Sequence, residues 1–80
     1  MPLYYFHLCN GGDTLLDPDG RDLTSRSEVQ SATLGEARSI ISQDALEGRI
    51  ELGYRIDVQD ASGELVHSLR FTDAIKITGS

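Results

Sequence analysis

The sequence predicts an α+β domain in the order β-β-α-β-β, with an antiparallel or mixed sheet of about four strands and one long helix packed on one face. Three observations predict it. Residues 3–9 read Leu-Tyr-Tyr-Phe-His-Leu-Cys and run straight into Asn10-Gly11. A capping signature at Ser25 opens a long stretch of helical periodicity that stops at Gly48. Two further strand-like segments flank Asp60-Ala61-Ser62-Gly63.

The aromatic and apolar run from Leu3 to Cys9 is the strongest strand signal. Asn10-Gly11 supplies the positive φ values of a tight hairpin, and a short strand returns through Thr14-Leu15-Leu16. Asp17-Pro18-Asp19-Gly20 then turns the chain, because proline presets φ at the second turn position while aspartate and glycine suit the first and fourth. Ser25-Arg26-Ser27-Glu28 has the Ser-x-x-Glu form of a capping box, so a helix starts near Arg26. Gly48 stops it after about 21–22 residues, close to 32 Å at about 1.5 Å per residue. At about 100° per residue, Val29, Thr33, Leu34, Ala37, Ile40, Ile41 and Ala45 fall within one arc of about 160°, with Ala37 at its centre. Gln30 and Asp44 intrude near the two ends of that arc, and Asp44 also sits against the helix dipole.

Tyr54 to Gln59 alternates apolar and polar residues, the pattern of a half-buried strand. Glu64 to Phe71 reads as its return strand, with Leu65, Leu69 and Phe71 on one side and Val66 on the other. The tail from Asp73 to Ile77 alternates weakly, which is consistent with a short final strand. The connection through the helix brings the two hairpins together, and strand order does not follow from the pattern.

Bulk properties narrow the function. Eighty residues make one domain, residues 1–80, with a thin core that buries only about 60% of the unfolded chain's surface. Thirteen acidic residues against seven basic ones give a formal charge of −6. The basic residues are scattered, which argues against nucleic acid and against an anionic membrane surface. No segment approaches the roughly 20 apolar residues of a membrane span. The N-terminus carries no basic region or apolar core of the signal-peptide kind. Cys9 is the single cysteine, so no intrachain disulfide is expected, and a lone thiol fits a reducing cytoplasm.

Candidate chemistry is sparse. His7 and Cys9 are two apart on a strand and His67 lies far along the chain, which is not the spacing of a metal site. A partly exposed imidazole and a small, at least half-buried thiol are the expected states. Side chains two apart on a strand are roughly 6.6 Å apart along it, too far for His7 to activate Cys9 as a nucleophile. Asp13, Asp17, Asp19 and Asp22 cluster near the first turns, where turn geometry accounts for them. Asp17-x-Asp19-Gly20 lacks the acid series and closing glutamate of a calcium loop. Tyr4-Tyr5-Phe6 lacks the basic surround of a base-stacking platform. No cofactor, metal or catalytic residue is expected.

One surface stands out. A single helix covers one sheet face. With Tyr4, Phe6 and Leu8 turned towards it, Tyr5, His7, Cys9 and Val66 form a semi-apolar face on the other side, an expected interaction surface. The opposite assignment, with Leu3, Tyr5 and Cys9 inward, is the alternative.

The chain also resembles a family of small uncharacterised bacterial proteins, a domain of unknown function. The resemblance rests on Tyr4-Tyr5-Phe6-His7-Leu8, Asp17-x-x-Gly20-x-x-Leu23, Glu36-Ala37-Arg38 with Ile40-Ile41, and Gly48. It continues through Ile56-x-Val58-x-Asp60-x-x-Gly63 and Leu69-x-Phe71-x-Asp73-Ala74. It covers nearly the whole chain and implies no activity. A looser likeness to HicB-type antitoxins, which also begin with a strand pair, an acidic turn and a helix, lacks their DNA-binding continuation. The resulting expectation is a non-enzymatic interaction or regulatory domain, binding itself as a homodimer or another protein. The competing expectation is a small enzyme or ligand-binding protein with a pocket gathering His7, His67 or the turn aspartates.

Overall fold

The computed structural model describes residues 2–79. In chain order the elements are β1 (Leu3–Asn10), β2 (Asp13–Leu15), β3 (Arg21–Asp22), α1 (Arg26–Leu46), β4 (Tyr54–Asp60), β5 (Leu65–Arg70) and α2 (Phe71–Ala74). β1 is central because its apolar run pairs along both edges. β4 lies antiparallel on one side, and β2 and β3 share the other. β5 completes the order β2-β1-β4-β5, so every pairing is antiparallel and the mixed-sheet alternative falls away.

Register fixes the faces. Phe6 lies opposite Val58, Leu8 opposite Ile56, and Ile56 opposite Leu69. These residues form or adjoin the buried cluster under α1. The pleat sends the intervening residues to the other face, where Tyr5 is opposite Gln59, His7 opposite Asp57 and Cys9 opposite Arg55.

α1 begins and ends where its capping chemistry dictates. Ser25 Oγ accepts from the Glu28 N–H at 3.1 Å, and the Glu28 carboxylate reaches back to the Thr24 N–H at 2.7 Å and to its hydroxyl. At the far end Gly48 takes φ +92°, and the Gly48 and Arg49 N–H groups return to Ala45 and Asp44 carbonyls. Val29, Thr33, Ala37 and Ile41 form the buried stripe. Thr33, the polar member, donates its hydroxyl to the Val29 carbonyl at 2.6 Å. Ala45, expected inside the stripe, is exposed. A helix of 21 residues is about 32 Å long and outruns strands of about 20–26 Å, so its last turn overhangs the sheet.

Three further expectations are corrected. The return strand ends at Arg70, and Phe71 opens the short helix α2, burying Phe71 and Ala74 against the core. Among the described residues the tail adds no strand. A short strand not foreseen, β3, pairs Arg21 and Asp22 with Tyr4 and Leu3.

Val66 is the third. The β4–β5 register shifts between Val58 and Gln59, which pair with His67 and Leu65 and leave Val66 as the extra residue of a bulge. Strict alternation breaks there. Val66 packs against the core on the helix side, beside Tyr4 and Val29, not with Tyr5, His7 and Cys9.

Candidate functional site

The helix-free face is polar at its centre, and its groups satisfy one another. β1 has strand partners at Leu3–Tyr4 and at Leu8–Asn10, leaving its edge open between them. Asp17 fills that gap. Its Oδ2 accepts the Phe6 N–H at 3.1 Å, and its Oδ1 accepts the Asp19 and Gly20 N–H groups at 3.1 and 3.2 Å. Its own N–H donates to His7 Nδ1 at 3.0 Å. The backbone donor dictates the imidazole tautomer: Nδ1 is the acceptor, so Nε2 carries the proton and donates to Gln59 Oε1 at 3.2 Å. The Tyr5 ring lies nearly parallel to His7, with centroids 6.4 Å apart. His7, expected to be partly exposed, is only 8% exposed.

Asp57 anchors a second cluster. It accepts from Ser68 Oγ at 2.7 Å and from Arg55 Nε at 3.1 Å. The Cys9 thiol, 3% exposed, points to Asp57 Oδ2 at 3.6 Å and to the His7 carbonyl at 3.8 Å. The Thr14 hydroxyl approaches the same sulfur at 3.8 Å. Both His7 ring nitrogens are engaged elsewhere, so no thiol–imidazole pair forms. No shielded side-chain nitrogen or oxygen among the described residues is left without a partner.

Two carboxyl pKa values report these contacts. Burial alone would raise the Asp17 carboxyl, but the N–H donors of Phe6, Asp19 and Gly20, with His7 nearby, outweigh it and hold it below the ordinary aspartate value. Asp57 behaves alike: burial opposes ionisation, while the Ser68 hydroxyl and Arg55 lower it further than burial raises it.

The turn that carries Asp17 also needs Gly20. Its φ is +73°, and a Cβ there would stand 3.0 Å from the Tyr5 ring and 3.2 Å from the Tyr4 carbonyl. Gly20→Ala combines left-handed strain with a backbone clash, and an expected loss of at least about 1 kcal/mol follows. Chemical denaturation checks it. Gly11→Ala, at φ +62° but facing open space, should cost less.

The apolar opening lies on the other side of the sheet. Four strands about 4.8 Å apart are nearly twice as wide as one helix of about 10 Å. α1 lies over β4 and β5, and the helix-side surface of β1 and β2 stays open. The result is a groove of about 410 Å³ between α1 and the segment from Leu15 to Arg21. Phe6, Leu8 and Ile56 form its floor, and Leu15, Leu16 and Ile40 its apolar walls. Leu15 and Leu16 are 69% and 67% exposed. Arg21 bridges one rim, bonding Glu36 at 2.6 Å with its guanidinium 5.2 Å from the centre of the Phe6 ring.

Sequence reasoning missed this groove, although the successive leucines before the Asp-Pro turn are its signal. Of the expected surface, Tyr5, His7 and Cys9 do share one face, and Val66 does not. Of the competing expectation, a pocket gathering His7, His67 or the turn aspartates, the groove includes the turn aspartates Asp17 and Asp19 but neither histidine. Among the described residues no group of three or more His, Cys, Asp or Glu side chains is placed to hold a metal ion. No helix among them is long and apolar enough to cross a membrane.

These features define a class: an all-antiparallel α+β domain with one long helix, whose central strand is completed on one edge by a turn aspartate. Residues 3–72 match the family described as Domain of unknown function (DUF6894), and the chain belongs to that family. The match takes in every residue of the groove and of the His7 and Asp57 clusters. Comparison with curated proteins and with solved structures gave no match.

Proposed function

We propose that this domain is a non-enzymatic protein-interaction module that docks a polypeptide in the groove between α1 and residues 15–21. The observation that carries this reading is the pair Leu15 and Leu16, both about two-thirds exposed, flanking a concave floor of core side chains. Side chains that stay wet in the free chain and sit over an apolar cleft gain most from a partner. The absence of an enzymatic role is supported by how the chemically capable groups are used: His7, Cys9, Asp17 and Asp57 hold one another and the backbone. The helix-free face has a lesser claim, because its His7 and Cys9 anchors are buried.

The test uses the domain as bait with two variants of exposed leucines. Leu16→Asp charges the groove rim, and Leu65→Asp charges an exposed position opposite Gln59 on the helix-free side. A partner retained by wild type and Leu65→Asp but lost by Leu16→Asp is the expected result. Loss with Leu65→Asp alone moves the site to the helix-free face. Retention by both variants overturns the reading.

A further inference from the structure

The charge around the groove specifies what fits it. Resting on the reading of the groove as a docking site, we infer that its occupant is a cationic amphipathic helix of another protein. Four carboxylates, Asp13, Asp17, Asp19 and Glu36, stand around the groove and its extension past Leu15, against the single guanidinium of Arg21. That guanidinium is already engaged by Glu36. Asp13, Asp17 and Asp19 have no cationic salt-bridge partner among the described residues. Along α1, Glu36, Ile40 and Asp44 follow one another at intervals of four on one row, so the acidic margin continues past the groove.

Shape selects a helix. The uncovered half of the sheet is about as wide as one helix. An extended strand is disfavoured, because the free stretch of the β1 edge that it would extend is taken by Asp17 at the Phe6 N–H. A second copy of this chain is disfavoured too. It would bring a further formal charge of −6 against an acidic rim, and the apolar stripe of its own α1 is buried in its core. Apolar side chains at helical spacing would fill the space over Phe6, Leu8 and Ile56, and flanking lysines or arginines would meet the acids.

The experiment titrates the whole domain with synthetic peptides of about 15–18 residues, long enough for marginal helix formation. One carries leucines at i, i+3, i+4 and i+7 with lysines elsewhere. A second has glutamates in place of the lysines. A third is the lysine peptide scrambled to destroy the apolar stripe. Methyl NMR signals of Leu8, Leu15, Leu16 and Ile40 are followed. The expected result is saturable binding of the first peptide alone, weakened about tenfold by Leu16→Asp. Binding should also weaken as salt rises from about 0.01 M to 0.15 M, which shortens the screening length from about 30 Å to 8 Å. Equal binding of the scrambled peptide overturns the inference as mere charge attraction. Equal binding of the glutamate peptide overturns the cationic part while leaving the groove as a docking site. If no peptide binds while Leu16→Asp still abolishes partner capture, the helix inference fails and the broader reading stands. Sedimentation showing a wild-type dimer that Leu16→Asp dissociates replaces the foreign helix with a second copy.

Discussion

Replacing Phe71 with alanine is expected to cost about 3–5 kcal/mol, the range for a large aromatic removed from a core that cannot collapse around the void. Phe71 is fully buried, its ring centre 5.6 Å from that of Tyr54. It begins a helix of only four residues, far too short to hold itself together. What holds α2 in place is the burial of Phe71 and Ala74 together with the Arg38 guanidinium, which donates to the Ala74 carbonyl at 2.8 Å. Deleting the ring removes apolar contact from α1, β4 and β5 at once. Small domains commonly hold only about 5–15 kcal/mol in total, so a loss of this size brings an 80-residue chain close to unfolding at 37 °C. Each kcal/mol corresponds to roughly 4–8 °C of Tm at this size. Urea denaturation with thermal melts checks it, and Phe71→Leu, which keeps most of the volume, should fall well short of the alanine effect. A Phe71→Ala variant within about 1 kcal/mol of wild type would show that α2 does not dock as described.

How far the sequence reveals this molecule depends on the range over which each feature is encoded. Signals written within one turn of chain are legible. Ser25 and Glu28 mark the start of α1, Gly48 its end, and the period of Val29, Thr33, Ala37 and Ile41 its buried stripe. The alternation from Tyr54 to Gln59 likewise gives β4 its two faces. Features set by pairing partners are not legible. Val66 reads as an outward residue because alternation assumes an unbroken register, and the bulge arises only when β5 meets Val58 and Gln59. β3 is two residues long, too short to carry any period. Phe71 has the inward face that strand alternation assigns it, yet it belongs to a helical turn, because the chain leaves the sheet at Arg70. The groove depends on which half of the sheet α1 covers, and no local pattern states that. Tyr5, His7 and Cys9 are legible as a shared face, and a buried Cys9 thiol fits the expectation, but the burial of His7 is not legible, since its partners Asp17 and Gln59 are remote in sequence.

Asp17 shows the same division within one residue, and its substitution is the second large effect expected. The sequence marks it as the first residue of a turn, and its contacts with the Asp19 and Gly20 N–H groups fit that role. The long-range half of its work is the Phe6 N–H, which would otherwise lack a partner on the broken edge of β1. Asp17→Ala deletes three bonds to an ionised acceptor. Bonds of this kind contribute about 1.5–3 kcal/mol each when shielded and less when partly wet, so a total loss of about 2–4 kcal/mol is expected. Asp17→Asn retains an acceptor oxygen without the charge and should lie between. The pH dependence separates the charge from the geometry. The carboxyl titrates below its ordinary value of 3.8 in the folded chain, so the folded state favours its ionised form. That contribution to stability is fully present above the unfolded carboxyl's pKa and is lost as pH falls through the lower folded value. Wild type should therefore lose stability on acidification from about pH 5 downward. Asp57, Asp60 and Glu28 are shifted in the same direction and add to the slope in every variant that keeps them. The difference in unfolding free energy between wild type and Asp17→Asn isolates Asp17. It should be largest near neutral pH and shrink towards pH 3. A difference that stays constant across that range would mean that Asp17 holds the β1 edge through shape alone, with no contribution from its charge.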